Sequence, residues 1–474
     1  MYRIRSIVIL FVAGLLLPAA FHSVEAQQPD TLRLAINDAI TRVLRESDEV
    51  RIAAAQIELT EAQITTARAS GLPQARLSSS YSQVLRNARA QIVGQTIFGQ
   101  NYNYTGNINI SQTVFQGGRF FAGTRAAGDA RNVARFNRAE TESQIAVDVQ
   151  RAYLTAQLSR ELLQIQERNV ELAAQRLTLV QQLESGGRAS RYDVLRARVE
   201  RANLEPTLLQ ARNAVELADI EIRRVLNIPV SQPFTLTSVL DSAALREVTQ
   251  TVSADSANNP MRASERAAVS AVDGRREGIR VARADLMPTI TTFFQTGYTA
   301  LPSNNGFPTR WGRTSTDLCP EGSAETRVCQ NNGWFQDRSF GVQVAWPLFD
   351  GLRTKGAIDL AQAQEKLARV QLDQEREEVA VDRARAWAEF TRARAMFDAQ
   401  QQNVAEAEEA YKIAALRFER GLSTQLEVSD AQFLLLTART NGARATTEFY
   451  LAAADLARAR GLAIPLPPTR PISR

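Results

Sequence analysis

The chain has 474 residues, with 56 Lys and Arg against 51 Asp and Glu, and its one histidine is His22. The net charge of +5 is spread along the chain and no basic block is interleaved with aromatic residues, which argues against nucleic acid as a partner. His22 lies in a segment that we expect to be removed. For the mature chain this excludes a Ser-His-Asp triad, a zinc hydrolase and a histidine proton relay.

Residues 1–26 have the pattern of a cleaved secretory signal. Arg3 and Arg5 form a basic start, 7–17 is apolar, and 24–26 is a small-x-small end. An uncleaved anchor is the alternative, but the apolar run is shorter than the ~20 residues that a membrane span needs. No cysteine lies near the cleavage site, so no lipid anchor is indicated there. The sequence therefore predicts export.

The first repeat covers 27–229. It begins with a helix, continues through strands at 75–85 and 102–115, and ends in a very long helix over 118–185 and a further helix over 191–226. The tract of the long helix is free of proline and rich in Ala, Glu, Arg, Gln and Leu. At about 1.5 Å per residue it would be roughly 100 Å long, which exceeds a globular domain.

The same order of elements then recurs. A linker or equatorial segment over 230–259 leads into the second repeat, 260–465, and a Pro-rich tail follows over 466–474. The second repeat has a helix, strands at 289–300 and 339–349, a long helix over 352–420 and a helix over 424–460.

A constant offset of 234 residues relates the two long tracts. It superimposes Gly187 on Gly421, Ser190 on Thr424, Asp193 on Glu427, and Phe115-x-Gly117 on Phe349-x-Gly351. Self-similarity of this kind is the signature of tandem duplication.

The strands alternate between apolar and polar residues. From Tyr102 one face carries Ile108 and Ile110 while the other is Asn, Thr and Ser, and Phe340 and Val342 begin a similar apolar face in the second repeat. Such strands are typical of a membrane β-barrel with a wet lumen. A half-buried sheet of a soluble domain has the same alternation.

The long helices favour the membrane alternative. A soluble sheet gives no reason for two helices of ~100 Å to leave its strand ends. Four strands are too few to close around a lumen, and open strand edges do not occur in lipid. We therefore predict a mixed α and β membrane protein whose barrel is shared between chains.

Apolar residues recur along both long helices at alternating steps of four and three. The first helix carries Ile145, Val149, Ala152, Ala156, Leu163, Val170, Ala173, Leu177 and Val180, and the second carries Phe390, Ala393, Phe397, Val404, Ala407, Tyr411, Ala414 and Phe418. This spacing is typical of coiled coils. A free-standing coiled coil is one interpretation, but the attached strands favour a helical wall.

Together, the signal, the duplicated unit, the Phe-x-Gly junctions and the tip sequences 187–194 and 421–428 resemble the TolC family of outer membrane efflux proteins. The resemblance covers nearly the whole mature chain. It implies a homotrimer in the cell outer membrane, with a twelve-stranded β-barrel continuous with a periplasmic α-barrel of long coiled-coil helices. It also implies a periplasmic membrane-fusion adaptor and an inner-membrane pump, proton-driven or ATP-driven, as partners.

In that family the turns between long helices meet the adaptor. By position this role falls on Gly187, Arg188, Ala189 and Ser190 in the first repeat and on Gly421, Leu422, Ser423 and Thr424 in the second. A left-handed glycine followed by a Ser or Thr N-cap also simply joins two antiparallel helices. Both interpretations can hold.

The resemblance places the constricted entrance just inside these turns. Glu427 and Asp430 occupy positions where family members carry acids, and Phe418 and Ser423 occupy those of an aromatic residue and an arginine that help to close the entrance. Neither a tyrosine hydroxyl nor that arginine is present here. Closure must therefore be built differently, with Arg417 or Arg420 as candidates.

Asp193 belongs to the same group of entrance residues, and it has a structural alternative. Both tips show the Ser/Thr-x-x-acid spacing of a capping box, ending at Asp193 and Glu427. Asp430 lies one turn beyond Glu427, and its counterpart in the first repeat is Arg196, so a cap does not explain it.

Cys319 and Cys329 lie in the loop over 301–338, which we expect outside the cell. In an exported chain they predict one disulfide that stabilises a small loop by ~2–3 kcal/mol and is dispensable for transport. A two-thiolate metal site is the alternative, but no further soft ligand is present.

We therefore expect a passive export duct without an enzymatic step or a cofactor. The alternatives are a type I polypeptide-secretion duct or a structural periplasmic scaffold that conducts no small molecules. An outer-membrane enzyme is a third class, but the mature chain lacks histidine and any convergent catalytic cluster. The polar strand faces are generic Asn, Ser and Thr, and they do not specify a cargo.

Overall fold

The computed structural model describes residues 31–85, 102–238, 260–302, 307–308, 310–312 and 333–462. The expected signal, both cysteines and the Pro-rich tail lie outside the described residues. Within the described ranges, no helix combines the length and the apolar character that a membrane crossing requires.

The first repeat runs from a short strand and two helices through two strands into two long helices. Its elements are β1 (Leu32–Leu34), α1 (Ile36–Glu46), α2 (Asp48–Ala69), β2 (Gln74–Gln83), β3 (Tyr102–Gln116), α3 (Arg119–Ser185) and α4 (Arg191–Val225). Two helices form where the sequence predicts one because Ser47 breaks the helix. Its hydroxyl accepts a hydrogen bond from Val50 N at 3.3 Å and so caps α2.

The second repeat follows a short intervening strand, β4 (Phe234–Leu236). Its elements are α5 (Ala263–Ala284), β5 (Thr289–Ala300), β6 (Arg310–Gly312), β7 (Gly333–Ala345), α6 (Arg353–Glu419) and α7 (Gln425–Ala459). Corresponding helices have equal lengths: α2 and α5 have 22 residues, α3 and α6 have 67, and α4 and α7 have 35. The duplication is therefore visible in whole elements as well as in short motifs.

Five strands form one sheet in the order β2-β3-β5-β7-β6. The four long strands are antiparallel, and β6 pairs in parallel with the first residues of β7. The register sets Ile110 opposite Phe294 and Phe294 opposite Phe340, so the apolar faces of three strands coincide. Phe340 is 75% exposed. A single chain thus leaves an apolar sheet face uncovered.

The strand predicted over 339–349 differs at both ends, since β7 spans Gly333–Ala345. At its far end Ala345 lies opposite Thr289, where β5 begins. Residues 346–349 therefore have no partner strand among the described residues, and the ladder stops.

The four predicted strands form the four long strands of the sheet, and the loop over 301–338 adds a short fifth strand, β6, and the start of β7. Trp334 fixes this start: its indole Nε1 donates to Pro308 O at 2.9 Å, and Trp311 of β6 stacks on it with ring centroids 5.1 Å apart. Tyr104 and Tyr298 add edge contacts to the two indoles. This aromatic cluster marks the end of the sheet farthest from the helices.

Left-handed glycines turn each strand into a long helix. Gly117 and Gly118 have φ of 56° and 81°, and Gly351 has φ of 70°. A Cβ on Gly117 would lie 2.7 Å from Ala284 O, so that glycine is required by space as well as by conformation. The Phe-x-Gly signature is thus the corner between sheet and helix.

Helix α3 lies at the centre of the helical layer. It packs against α2 and α5 near the sheet and against α4 and α7 farther away, while α6 packs against α5 and α7. A buried apolar cluster joins the repeats midway, where Leu154 of α3 meets Phe390 of α6 and Phe449 and Tyr450 of α7.

The segment between the repeats takes part in a second, small sheet. β4 pairs in parallel with β1. The Tyr153 hydroxyl of α3 links the ends of the two strands, since it donates to Leu34 O at 2.9 Å and accepts from Ser238 N at 3.0 Å. The sequence predicts a linker or equatorial segment over 230–259. Its described part packs on an apolar core with α1 and the middle of α3.

Candidate functional site at the helical turns

Two glycine turns join the long helices at the end opposite the sheet. Gly187 has φ of 70° and Gly421 has φ of 75°. In each turn the next amide, Arg188 N or Leu422 N, donates to the carbonyl five residues back at 2.8 Å. This is the Schellman arrangement, which satisfies the last carbonyls of α3 and α6.

The first turn leads into a complete capping box. Ser190 Oγ accepts a hydrogen bond from Asp193 N at 3.2 Å, and the Asp193 carboxylate accepts from Ser190 N at 3.0 Å and from Ser190 Oγ at 2.7 Å. Hydrogen bonds from the Ser190 side chain and backbone hold the pKa of Asp193 below its usual range. Asp193, which the sequence places among the entrance residues, is therefore engaged in the cap.

The second turn has only half of that box. Thr424 Oγ1 accepts from Glu427 N at 3.4 Å. Within the described ranges the Glu427 carboxylate has no hydrogen bond or ion pair, and its side chain is exposed. The expectation of a reciprocal cap at Glu427 is therefore wrong. The exposed Glu427 carboxylate does not accept from Thr424 N, whereas that of Asp193 accepts from Ser190 N.

Asp430 lies one turn beyond Glu427 and is exposed as well. It has no hydrogen bond or ion pair with any residue that the structure describes. Its charge acts on Arg196 of α4. A hydrogen bond to Glu200 at 3.0 Å, with the nearby Asp430 charge as a smaller contribution, raises the pKa of Arg196. Two exposed carboxylates without a hydrogen bond or ion pair to the described residues thus stand one turn apart near the start of α7.

Phe418 and Ser423 are both half-buried within the chain. Phe418 packs against an apolar cluster at the ends of α3 and α4 that includes Leu177 and Val194. Ser423 Oγ donates to Ala414 O at 3.5 Å. In one copy, Phe418 is therefore an apolar contact between the two helical hairpins.

Of the two arginines considered for closure, Arg417 donates to Leu422 O at 3.5 Å, within its own turn. Arg420 is exposed. Neither makes a hydrogen bond or ion pair with the Glu427 or Asp430 carboxylate in the described part of the chain. A lock between these arginines and the acids of the same copy is therefore not formed.

Sequence reasoning missed a polar cluster that joins α3, α4 and α7. Arg176 donates to Ser429 Oγ at 2.7 Å and to Glu200 at 3.3 Å, and Ser429 Oγ donates to Glu200 at 3.1 Å. The Arg176 side chain is only 9% exposed, and this burial lowers its pKa. A signal was available: Arg176 lies directly beside the seam residue Leu177, at a position where the second repeat has Ala410.

The boundary between α3 and α7 stays polar one turn farther from the tip. Gln432 Nε2 donates to Asn169 Oδ1 at 2.6 Å, and both residues are buried. Toward the middle of the helices the same boundary becomes apolar, around Leu154 and Tyr450. In the described ranges, no three acidic, histidine or cysteine side chains converge as metal ligands.

The family model described as outer membrane efflux protein matches residues 39–227 and 261–462, which correspond to the two repeats. Among curated proteins, Protein CyaE of Bordetella pertussis is 25% identical over 412 residues. That match covers 86% of this chain and 79% of the relative.

Two solved structures illustrate the similarity of fold. The outer membrane protein VceC of Vibrio cholerae superimposes with a TM-score of 0.67 at 19% identity, over 91% of this chain and 97% of that one. The open state of the MtrE outer membrane channel of Neisseria gonorrhoeae gives a TM-score of 0.66 at 19% identity, over 90% and 89% of the two chains. At these identities the likeness is one of architecture.

Proposed function

Since the chain belongs to the outer membrane efflux protein family, as its resemblance to TolC predicts, we propose that it is the outer membrane channel-tunnel of a tripartite system. It passively conducts substrates to the exterior from a periplasmic adaptor and an inner-membrane pump, without an enzymatic step. One observation carries the proposal: a sheet with an uncovered apolar face continues directly into helices of 67 residues.

The sheet supports insertion into the outer membrane as part of a shared barrel. Its apolar face, aligned through Ile110, Phe294 and Phe340, suits contact with lipid. The outer edge of β2 and most of that of β7 have no partner among the described residues. Lipid does not tolerate such edges, so neighbouring copies close them. Three copies of the four long strands make a twelve-stranded barrel, which fits a homotrimer.

The helices support a periplasmic location on the other side. At about 1.5 Å per residue, α3 and α6 reach roughly 100 Å from the sheet, enough to span most of a periplasm. The outer edge of α4 exposes Leu209, Leu217 and Ile220, a row that a neighbouring copy would cover. We therefore place the helices in a periplasmic α-barrel formed by three copies.

The turns at the far end are the proposed contact with the adaptor. They comprise 187–190 and 421–424, whose side chains are largely exposed. Just inside them, Glu427 and Asp430 from three copies would bring six carboxylates to one narrow entrance. Mutual repulsion there is relieved by cations, so the entrance would attract multivalent cations and be blocked by them.

Two measurements on the purified mature chain test this proposal. We expect the mass in detergent to be that of three copies, and we expect stepwise single-channel conductance in planar lipid bilayers. A monodisperse monomer that is soluble without detergent would contradict the channel altogether. A trimer without conductance would favour the periplasmic scaffold. A polypeptide-secretion duct would conduct as well, and it would be distinguished by an ATP-driven exporter encoded next to the gene.

A further inference from the structure

We propose that adjacent copies meet through an apolar seam between α6 of one copy and α2 of the next, in the register that the duplication dictates. The inference rests on the proposed homotrimer and adds the residues, register and chemistry of its contact. The occupant of the two exposed helix faces is thus a second copy of this chain.

The contact between repeats inside one chain supplies the template, since α3 of the first repeat packs against α5 of the second. A Cβ placed on Gly274 would lie 3.4 Å from the Asp129 Cβ. One heptad away, the Arg266 guanidinium lies 4.2 Å from the centre of the Phe136 ring. These two contacts fix which residues of α3 and α5 face each other.

The duplication transfers this register to the contact between copies. α2 begins at 48 and α5 at 263, an offset of 215, while α3 begins at 119 and α6 at 353, an offset of 234. By these offsets, the contact of Gly274 with Asp129 corresponds to a contact of Leu59 in the next copy with Ala363. The contact of Arg266 with Phe136 corresponds to one of Arg51 in the next copy with Val370.

Apolar residues lie exposed at the positions that this register requires. On α6, Leu360, Leu367 and Val370 follow heptad spacing with Ala363 between them, and Leu360 is 60% exposed. They point away from Ala368 and Leu372, which pack on α5.

On α2, the matching residues are Ile52 and Leu59, with Ala55 between them. Ile52 is 70% exposed and Leu59 is 49% exposed. The opposite face of α2, with Thr60 and Ile64, is the one buried in the chain. Both helices therefore present an unpartnered stripe of a/d spacing, and the two stripes match in register.

The chemistry of the two contacts differs. Three ion pairs join α3 to α5 and the residues at its two ends: Arg119 with Asp285, Arg125 with Glu277, and Glu140 with Arg262. The corresponding positions in the contact between copies pair Arg353 with Ser70, Asp359 with Ala62, and Gln374 with Ser47, the second residue of each pair belonging to the next copy. None of these is a pair of opposite charges. The contact between copies is therefore held by aliphatic packing, whereas the internal one is ionic.

A disulfide trap tests the register. In a Cys319→Ser, Cys329→Ser background, the Leu59→Cys, Ala363→Cys variant should form covalent two- and three-copy species on oxidation, which a reductant removes. The control variant Leu59→Cys, Val370→Cys shifts one side by seven residues, about 10 Å along the helix, beyond disulfide reach. It should stay monomeric on a denaturing gel. The internal pair Asp129→Cys, Gly274→Cys should close within one chain and leave the mass unchanged.

Linking in the first variant alone supports the seam. Equal linking in the shifted control, or linking only there, overturns the register. If neither variant links while the mass in detergent is that of three copies, the seam is overturned and the proposed channel stands. A monomeric mass overturns the proposed function together with the seam.

Discussion

The two helical hairpins have the same lengths and the same turns, but they treat their charges differently. In the α3–α4 hairpin, Asp193 is bound in a capping box and Glu200 accepts hydrogen bonds from Arg176 and Arg196. In the α6–α7 hairpin, Glu427 and Asp430 have no such partners in the described ranges. Duplication has kept the backbone while the charges diverged.

The exposure of the acids also differs between the two tips. At the first tip, Asp193 caps α4, and Glu200 accepts hydrogen bonds from Arg176 of α3 and Arg196 of α4. At the second tip, the Glu427 and Asp430 carboxylates are exposed and lie one turn apart. We infer that the first hairpin is the structural half of the entrance and that the second is the half that ions and cargo meet.

Replacing Arg176 by Ala should have the largest effect, because it gives the first hairpin the residue type that the second has at Ala410. The side chain is 9% exposed, and its loss removes the donor to Ser429 Oγ and one of the donors to Glu200, which keeps only Ser429 and Arg196. We expect the free energy of unfolding to fall by about 3 kcal/mol, measured by denaturant titration of the detergent-solubilised protein. Arg188→Ala, on the exposed turn, is the matched control and should change little.

An Arg176→Ala variant as stable as the Arg188→Ala control would show that the cluster does not tie the hairpins together. The comparison between the tips would then reduce to their caps.

The caps give the next largest contrast. Asp193→Ala removes both sides of a capping box and should cost about 1 kcal/mol of unfolding free energy. Glu427→Ala, at the equivalent position, should cost close to nothing because its carboxylate makes no cap. The same titration measures both, and equal losses would show that Glu427 caps its helix after all.

A smaller effect should appear in the pH dependence. The pKa of Asp193 is lowered in the folded chain, so its contribution is present above its unfolded pKa and is lost as the pH falls through the folded pKa. The stability difference between the parent and Asp193→Asn should therefore shrink between about pH 5 and pH 3. A constant difference for Asp193→Asn would contradict its role as an ionised cap.

Much of the fold follows from local patterns in the sequence. The long helices end where glycine takes a left-handed φ. The predicted helices over 118–185 and 352–420 therefore differ from α3 and α6 by at most one residue at each end. Strand faces follow from alternation with a period of two, which the register then aligns.

The remainder depends on contacts between distant segments. The start of β7 is set by β6 and by the bond from Trp334 to Pro308, neither of which has a local signature. At the site, the resemblance could place Phe418 near the entrance but could not show that it packs on α3 and α4. The capping-box spacing is the same at Asp193 and Glu427, so spacing alone does not reveal that only Asp193 completes the box.

The most direct test of the account is cation block of single channels in a planar bilayer, with the ion added on the side of the helical tips. A trivalent cation should block the parent channel, and Asp430→Ala should weaken that block severalfold because the repulsion among the entrance carboxylates falls. Asp193→Ala, which removes an acid already bound in a cap, should leave the block unchanged. If Asp430→Ala left both block and conductance unaltered, the exposed acids of the second hairpin would not line the entrance, and the account would be wrong.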